Sequence, residues 1–355
     1  MARTDPGQRL RVLVVQLSAS YAGTERHASE LAAGLQAAHD VAIVLRERPK
    51  EPARQGQYNA LLASVVPGVR LFLASRAMPW LGVLLAILRF RPDVIHAHYE
   101  RSVRVACLCA RLLRVPVIGT VHLRTTADFA RCTALVTLTA AEQRHAATVF
   151  PREVVRIENW VMPWPRPHAS RIAALRQDLG VGHAFLFGCV GRLEPVKGMD
   201  RLIDAFAQAG LPQAKLVIIG EGRARPALEA QIARLGLAGR VVLAPFRADI
   251  RDCYAMFGCF VTASAFDPFA LTLLEAAEQR VPIISTRTDA ALAIATRTPI
   301  TLVPHDDVAA LAAAMRTAIG GPAQTPPLKG FAFADRLPQF EALYRRAIAS
   351  LGNPA

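Results

Sequence analysis

Phe260 to Pro282 reads FVTASAFDPFALTLLEAAEQRVP. Its first four residues form an apolar, partly β-branched run that fits a central strand, and Ser264 to Phe266 break the run just ahead of a helix start. Asp267 has the chemistry of an N-cap, and Pro268 suits a first helical turn, where its missing N–H costs nothing. Leu271, Leu274 and Glu275 carry the helix on until Val281-Pro282 stops it. A buried strand running straight into a helix is half of a parallel α/β unit, so this stretch predicts an α/β fold.

Two acids mark the same segment. Asp267 and Glu275 stand eight positions apart, which at about 1.5 Å rise per residue separates their Cα atoms by roughly 12 Å. Paired carboxyls that cleave glycosidic bonds sit about 5 to 9.5 Å apart, so this spacing suits two anchors at opposite ends of an extended ligand. Between them the helix start offers unpaired N–H groups and the positive end of a dipole, a place for an anion. A ligand with a diphosphate in its middle and hydroxyl groups at both ends satisfies all three features. Read alone, Asp267 is first an ordinary N-cap and Glu275 a solvated helix residue, since capping acids are common, and the surrounding chain has to change that.

Before this stretch lies a second candidate. Gly191-Arg192-Leu193-Glu194-Pro195-Val196-Lys197-Gly198 joins a predicted strand, Ala184 to Val190, to a predicted helix, Met199 to Ala209. Arg192 and Lys197 put two fixed positive charges where a diphosphate would sit, and such charges stabilise a leaving phosphate. Solvated surface charge is the competing reading. The segment does not meet the P-loop pattern G-x-x-x-x-G-K-[ST]. Strand Lys215 to Ile219, helix Pro226 to Leu235, strand Val241 to Leu243 and strand Pro282 to Ser285 complete one alternating series.

An earlier series runs from strand Arg11 to Leu17 through helix Glu25 to Ala38, strand Val41 to Leu45, a short strand Leu71 to Leu73 and helix Pro79 to Phe90. Strands Asp93 to Ala97 and Pro116 to Val121 follow, with Arg101 to Leu113 as their crossover helix, then strand Ala134 to Leu138 and helix Ala140 to Thr148. Gly23 is the loop glycine of the opening unit, which lacks the G-x-G-x-x-G dinucleotide fingerprint. His98 and His122 fall at the carboxyl ends of adjacent strands, the edge where open α/β sheets bind ligands. The proline-rich MPWPRPHAS after Asn159 reads as a linker. Alternating strands and helices on both sides of it predict two doubly wound domains, 1–163 with a returning C-terminal helix 336–355, and 164–335.

The 355 residues are enough for two such cores. Net charge is +14, and 38 of the 42 basic residues are arginine, with residues 1–165 carrying net +9 and the remainder +5. Arg101, Arg104, Arg111 and Arg114 recur at helical spacing, either a solvated face or a contact for anionic lipid headgroups. No recognised nucleic-acid motif accompanies the charge, so a nucleic-acid partner is not expected. Six cysteines without a C-x-x-C pair, mostly in apolar runs, read as buried thiols of a cytoplasmic protein. The longest apolar stretch, Ala77 to Leu88, is too short for a bilayer of about 30 Å, and the N-terminus has no apolar signal core.

Taken in order, AGTERHASELAAGL, DVIHAH, GTVH, VGRLEPVKGMDRLIDAF, KLVIIGEGRARPALE, FDPFALTLLEA and PHDDVAALAAAM resemble the retaining glycosyltransferases of family four. The resemblance spans most of the chain. It implies the GT-B fold, two Rossmann-like domains facing across a cleft, the first on the acceptor side and the second binding the nucleotide sugar. It implies that Arg192 and Lys197 hold the donor diphosphate, that Glu275 binds the ribose hydroxyls and that Asp267 faces the transferred sugar. Backbone from Phe269 through Ala270 to Leu271 is expected at the phosphates, with Gly23 approaching from the other domain. Glu221 and Phe246 flank the nucleotide base, and His122 lies near the reacting carbon. The implied reaction moves a hexose, from a UDP-linked donor, to a glycan or lipid-linked acceptor in cell-envelope polysaccharide or lipopolysaccharide synthesis. The leaving phosphate deprotonates the acceptor hydroxyl, so catalysis is positioning plus electrostatics. No D-x-D occurs, and neither a metal nor another cofactor is expected. The implied location is cytoplasmic and peripheral to the inner membrane face. Asp267 stands where the family has glutamate, Pro268 and Ala270 replace glycines, and DAALAIA (Asp289 to Ala295) replaces a G-G…E segment. These departures keep two alternatives open: a non-catalytic GT-B-like scaffold, and another GT-B enzyme such as a nucleotide-sugar epimerase.

Overall fold

The computed structural model describes residues 8–18, 23–47, 55–267 and 271–352. The chain divides into two compact units, Met1–Glu158 with Phe333–Ala355, and Asn159–Ala332.

The first unit is built on seven parallel strands: β1 (Arg11–Gln16), β2 (Asp40–Arg46), β3 (Arg70–Ala74), β4 (Val94–His98), β5 (Val117–Val121), β6 (Ala134–Thr137) and β7 (Glu153–Arg156), in the order β3-β2-β1-β4-β5-β6-β7. The central strands are apolar on both faces because helices cover both, and β4 and β5 are buried along their whole length. Val12 registers with Val41 on one side and Val94 on the other. The strand order reverses between β1 and β4, the topological switch at which such sheets bind ligands. His98 ends β4, and His122 follows β5 directly. The C-terminal helix Leu337–Gly352 packs beneath β4 and β5, where the Tyr344 hydroxyl meets His96 Nδ1 at 2.6 Å.

The second unit repeats the plan with six parallel strands: β8 (Phe185–Val190), β9 (Ala214–Ile219), β10 (Val241–Ala244), β11 (Cys259–Thr262), β12 (Ile283–Thr286) and β13 (Thr301–Val303), in the order β10-β9-β8-β11-β12-β13. Its switch point falls between β8 and β11. The loop after β8 therefore lies beside the loop after β11, which brings the two candidate segments together at one sheet edge.

Several boundaries differ from the sequence reading. The units divide after Glu158 and Ala332, where 163 and 335 were expected, because the chain joins the second unit before its prolines begin. Val161 donates its N–H to Phe331 O at 2.8 Å, bridges Ala332, and is buried in the second unit's core. Strands β7 and β13 were not anticipated. Both are short sheet-edge strands with half-exposed side chains, so neither carries the apolar run that marks a central strand. The helix start expected at Asp267-Pro268 involves residues outside those described, and the described helix is Leu271–Glu278.

Candidate active site

At the switch point of the second unit, Val190 leads into the Gly191–Gly198 loop, whose Pro195–Lys197 turn is a single 3-10 turn ending on Gly198 at φ +64°. That left-handed geometry favours glycine, and space demands it too: a Cβ would lie 2.1 Å from Ala263 O. The close approach lets Ala265 donate its N–H to Val196 O at 2.9 Å. With the two loops docked, Lys197 Nζ donates to Asp267 Oδ2 at 3.0 Å. Asp267 is buried and Lys197 is largely so, which makes this a shielded ion pair rather than a surface one. Arg192 emerges on the exposed side of the same loop. Of the two predicted cations, the structure brings Lys197 and not Arg192 to Asp267.

Glu275 does not behave as a solvated helix acid. It is buried, with Tyr254 Oη donating to its Oε2 at 2.7 Å and Arg251 Nε 3.9 Å from its Oε1. The Arg251 guanidinium lies over the Trp164 ring, 5.3 Å from its centroid. Trp164, Arg251, Tyr254, Glu275 and Gln279 line a small recess. Sequence reasoning missed Arg251 and Tyr254. Their three-residue spacing on the short helix Ile250–Tyr254 puts both on one face, a signal that only pointed to Glu275 once the helix was placed.

Glu221 and Phe246 follow β9 and β10, which are neighbours, so their loops share an edge. Arg225 fixes this end. Its Nε and Nη2 each donate to a Glu221 oxygen at 3.0 Å, and its remaining N–H groups reach Gly220 O at 2.9 Å and Leu243 O at 3.2 Å. The Glu221 loop is sewn to the Lys197 loop as well, with Leu193 donating its N–H to Glu221 O at 2.9 Å. Phe246 is half-buried. Leu271 is buried at the first turn of its helix. Phe269 and Ala270, expected at the phosphates, lie outside the described residues, as does Pro268.

In the first unit, Gly23 opens the helix Gly23–Leu35 and His27 follows one turn later. His122 is buried against His98, with His98 Nδ1 and His122 Nε2 3.2 Å apart. His27 meets both rings edge-on at centroid distances of 5.3 and 5.2 Å. Burial pushes the His98 pKa down to about 3, and burial followed by neighbouring histidines holds His27 and His122 well below the ordinary range. All three rings are therefore neutral at neutral pH. His27 and His98 were not among the expected site residues beyond the placing of His98 at a strand end.

With this geometry in place, comparison with known proteins is consistent in direction. The family model "Glycosyltransferase Family 4" matches residues 21–179, and "Glycosyl transferases group 1" matches 184–320. The chain is 35% identical over 100 residues to the lipopolysaccharide core biosynthesis glycosyltransferase LpsE of Rhizobium meliloti, a match covering 28% of this chain and 29% of that one. It is 27% identical over 310 residues to D-inositol 3-phosphate glycosyltransferase 1 of Catenulispora acidiphila, covering 72% of each. The match to LpsE thus spans less than a third of that relative. Among solved structures, Anabaena HepE in complex with UDP-glucose superposes with TM-score 0.77 at 20% identity, covering 96% of this chain and 99% of that one.

Two parallel-sheet Rossmann-like halves define the GT-B fold class. Both halves of the chain match glycosyltransferase family models.

Proposed function

We propose that the chain is a retaining hexosyltransferase that takes its sugar from a UDP-linked donor and passes it to a glycan or lipid-linked acceptor in lipopolysaccharide or related cell-envelope polysaccharide synthesis. The observation that carries this reading is the shielded Lys197–Asp267 pair at the switch point of the second unit. An ammonium held there supplies charge to the leaving diphosphate, and a carboxylate beside it accepts hydroxyls of the transferred sugar. Arg192, exposed on the same loop, adds a second cation when the donor arrives. Glu275, oriented by Tyr254, is assigned to the ribose; Glu221 and Phe246 are assigned to the base; and backbone from Phe269 to Leu271, with Gly23, is assigned to the phosphates. His122 is assigned to the acceptor or to charge developing at the anomeric carbon. The donor's own phosphate takes the acceptor proton, so the mechanism calls for no metal and no covalent enzyme intermediate. The names of LpsE, a lipopolysaccharide core enzyme, and of HepE with UDP-glucose bound support the choice of pathway class and donor.

Slow hydrolysis of UDP-glucose in the absence of acceptor tests the reading. Lys197→Ala is expected to lower that rate by about 10²–10³-fold. Unchanged hydrolysis in the folded variant would reject the assignment.

Among the described residues no helix is long and apolar enough to cross a membrane. The helices Pro79–Phe90 and Glu100–Leu113 pack side by side; the first exposes Trp80, Leu85 and Leu88, and the second exposes Leu108, Arg104 and Arg111. We assign this mixed apolar and basic face to an anionic membrane surface on the cytoplasmic side, where a lipid-linked acceptor would be met. Flotation with vesicles containing an anionic lipid, lost at high salt, is the expected result; absence of flotation at low salt excludes it.

A further inference from the structure

His27, His98 and His122 come from three elements: the helix Gly23–Leu35, the end of β4, and the residue after β5. Each offers one ring nitrogen, and the three nitrogens lie within 4.8 Å of one another. A tetrahedral zinc with Zn–N bonds of about 2.0–2.1 Å places its ligand nitrogens about 3.3–3.4 Å apart. The 3.2 Å between His98 Nδ1 and His122 Nε2 already matches one edge of that figure. The geometry points to a three-histidine site for a divalent transition-metal ion, zinc being the best fit, in the first unit.

The surrounding chemistry favours this choice of ion. The three rings are buried side by side, and each can present an imidazole nitrogen to a common centre. Among the described residues no carboxylate or thiolate joins the trio, and an all-imidazole set suits zinc, copper or nickel rather than magnesium or calcium. His96, the fourth histidine nearby, is committed elsewhere. Its Nδ1 meets Tyr344 and its Nε2 meets Thr120 Oγ1, each at 2.6 Å, while its ring stacks parallel on His98 at 4.7 Å. It acts as a fixed plate that sets the plane of the His98 ring and leaves three ligands. Coordination replaces the proton shared by His98 and His122. One of the two rings shifts its N–H to its other nitrogen, so no net proton is required. His27 closes the remaining distance by a small side-chain movement.

One consequence rests on the function proposed above. Metal held by His122 takes that ring away from the charge developing at the anomeric carbon, so the site is inhibitory, and hydrolysis of the donor responds to zinc.

Titration of the chelator-treated full-length chain with Co²⁺, followed by the visible d–d bands of four-coordinate cobalt, tests the site itself. Bands saturating at about one equivalent and displaced by Zn²⁺ are expected. His27→Gln and His98→Gln are expected to weaken binding by at least about tenfold, whereas replacing the exposed His145 and His183 by Gln leaves it unchanged. A wild-type chain that is folded by circular dichroism yet gives no such bands and retains no zinc after dialysis overturns the site, whatever the variants do. Because this readout does not involve transfer, failure of the glycosyltransferase assignment and failure of the metal site are separable: metal binding with no inhibition of UDP-glucose hydrolysis rejects only the inhibitory consequence.

Discussion

Lys197 and Asp267 belong to different loops, and their 3.0 Å contact is what makes two unremarkable charged residues a candidate site. Removing one member of a shielded pair leaves the other buried and uncompensated, so Asp267→Asn is expected to lose donor turnover without unfolding the sheet beneath it. Glu275 presents a second case. Its carboxylate takes a hydrogen bond from Tyr254, and Tyr254→Phe removes that donor while keeping the ring in the core. The expected outcome is a raised KM for the nucleotide sugar with kcat little changed, the signature of lost uniform binding. A stability loss of about 1–3 kcal/mol in a urea titration should accompany it. Equal KM values would show that Glu275 serves the fold alone.

At the scale of elements, the site depends on how closely three loops pack at one sheet edge. Gly198 sits at φ +64° against Ala263 O, and Gly220 at φ +155° with its Cβ position 1.9 Å from Gly191 O. In both places the obstacle is backbone, which cannot swing aside as a flexible side chain would. Gly198→Ala is therefore expected to cost about 1–3 kcal/mol and to separate the Lys197 loop from Asp267. Its mark is a lowered Tm together with weaker UDP binding by calorimetry. Wild-type affinity in this variant would mean that the loop contact does not shape the donor site.

For the molecule as a whole, buried protons govern the response to alkali. Burial pushes the thiols of Cys189, Cys253 and Cys259 up to about 12, and burial also raises the Tyr344 phenol well above its usual value. Unfolded thiols lose their protons near pH 9, while the folded chain keeps them. The folded state then binds more protons than the unfolded state, and stability falls as pH rises. This contribution is intact below about pH 9 and disappears towards about pH 12, each thiol removing about 1.4 kcal/mol per pH unit within the window. The urea midpoint is expected to drop between about pH 8 and about pH 10.5, with a shallower slope in Cys→Ala variants. A midpoint independent of pH across that range would contradict the burial of these groups.

How much of this was legible beforehand differs by level. Runs such as RVLVVQL and KLVII, with helices between them, foretold two parallel-sheet units, since a strand covered on both faces must be apolar throughout and can be read locally. Lys197, Asp267 and Glu275 stood out at strand and helix ends, but residue types alone left Asp267 an ordinary N-cap and Glu275 a solvated acid. The edge strands β7 and β13 and the early entry of Val161 into the second unit left no such trace, because half-exposed residues satisfy no period. Arg192 and Lys197 look alike in sequence, and only loop docking at Gly198 turned one inward and left the other exposed. The same holds for Tyr254 beneath Glu275 and for the trio His27, His98 and His122. Local sequence determined which elements form, because propensity and burial act over a few residues. Tertiary structure alone decided which side chains meet, because the contacts that matter join residues some 20 to 100 positions apart, from His98 to His122 up to His27 to His122, through the strand order.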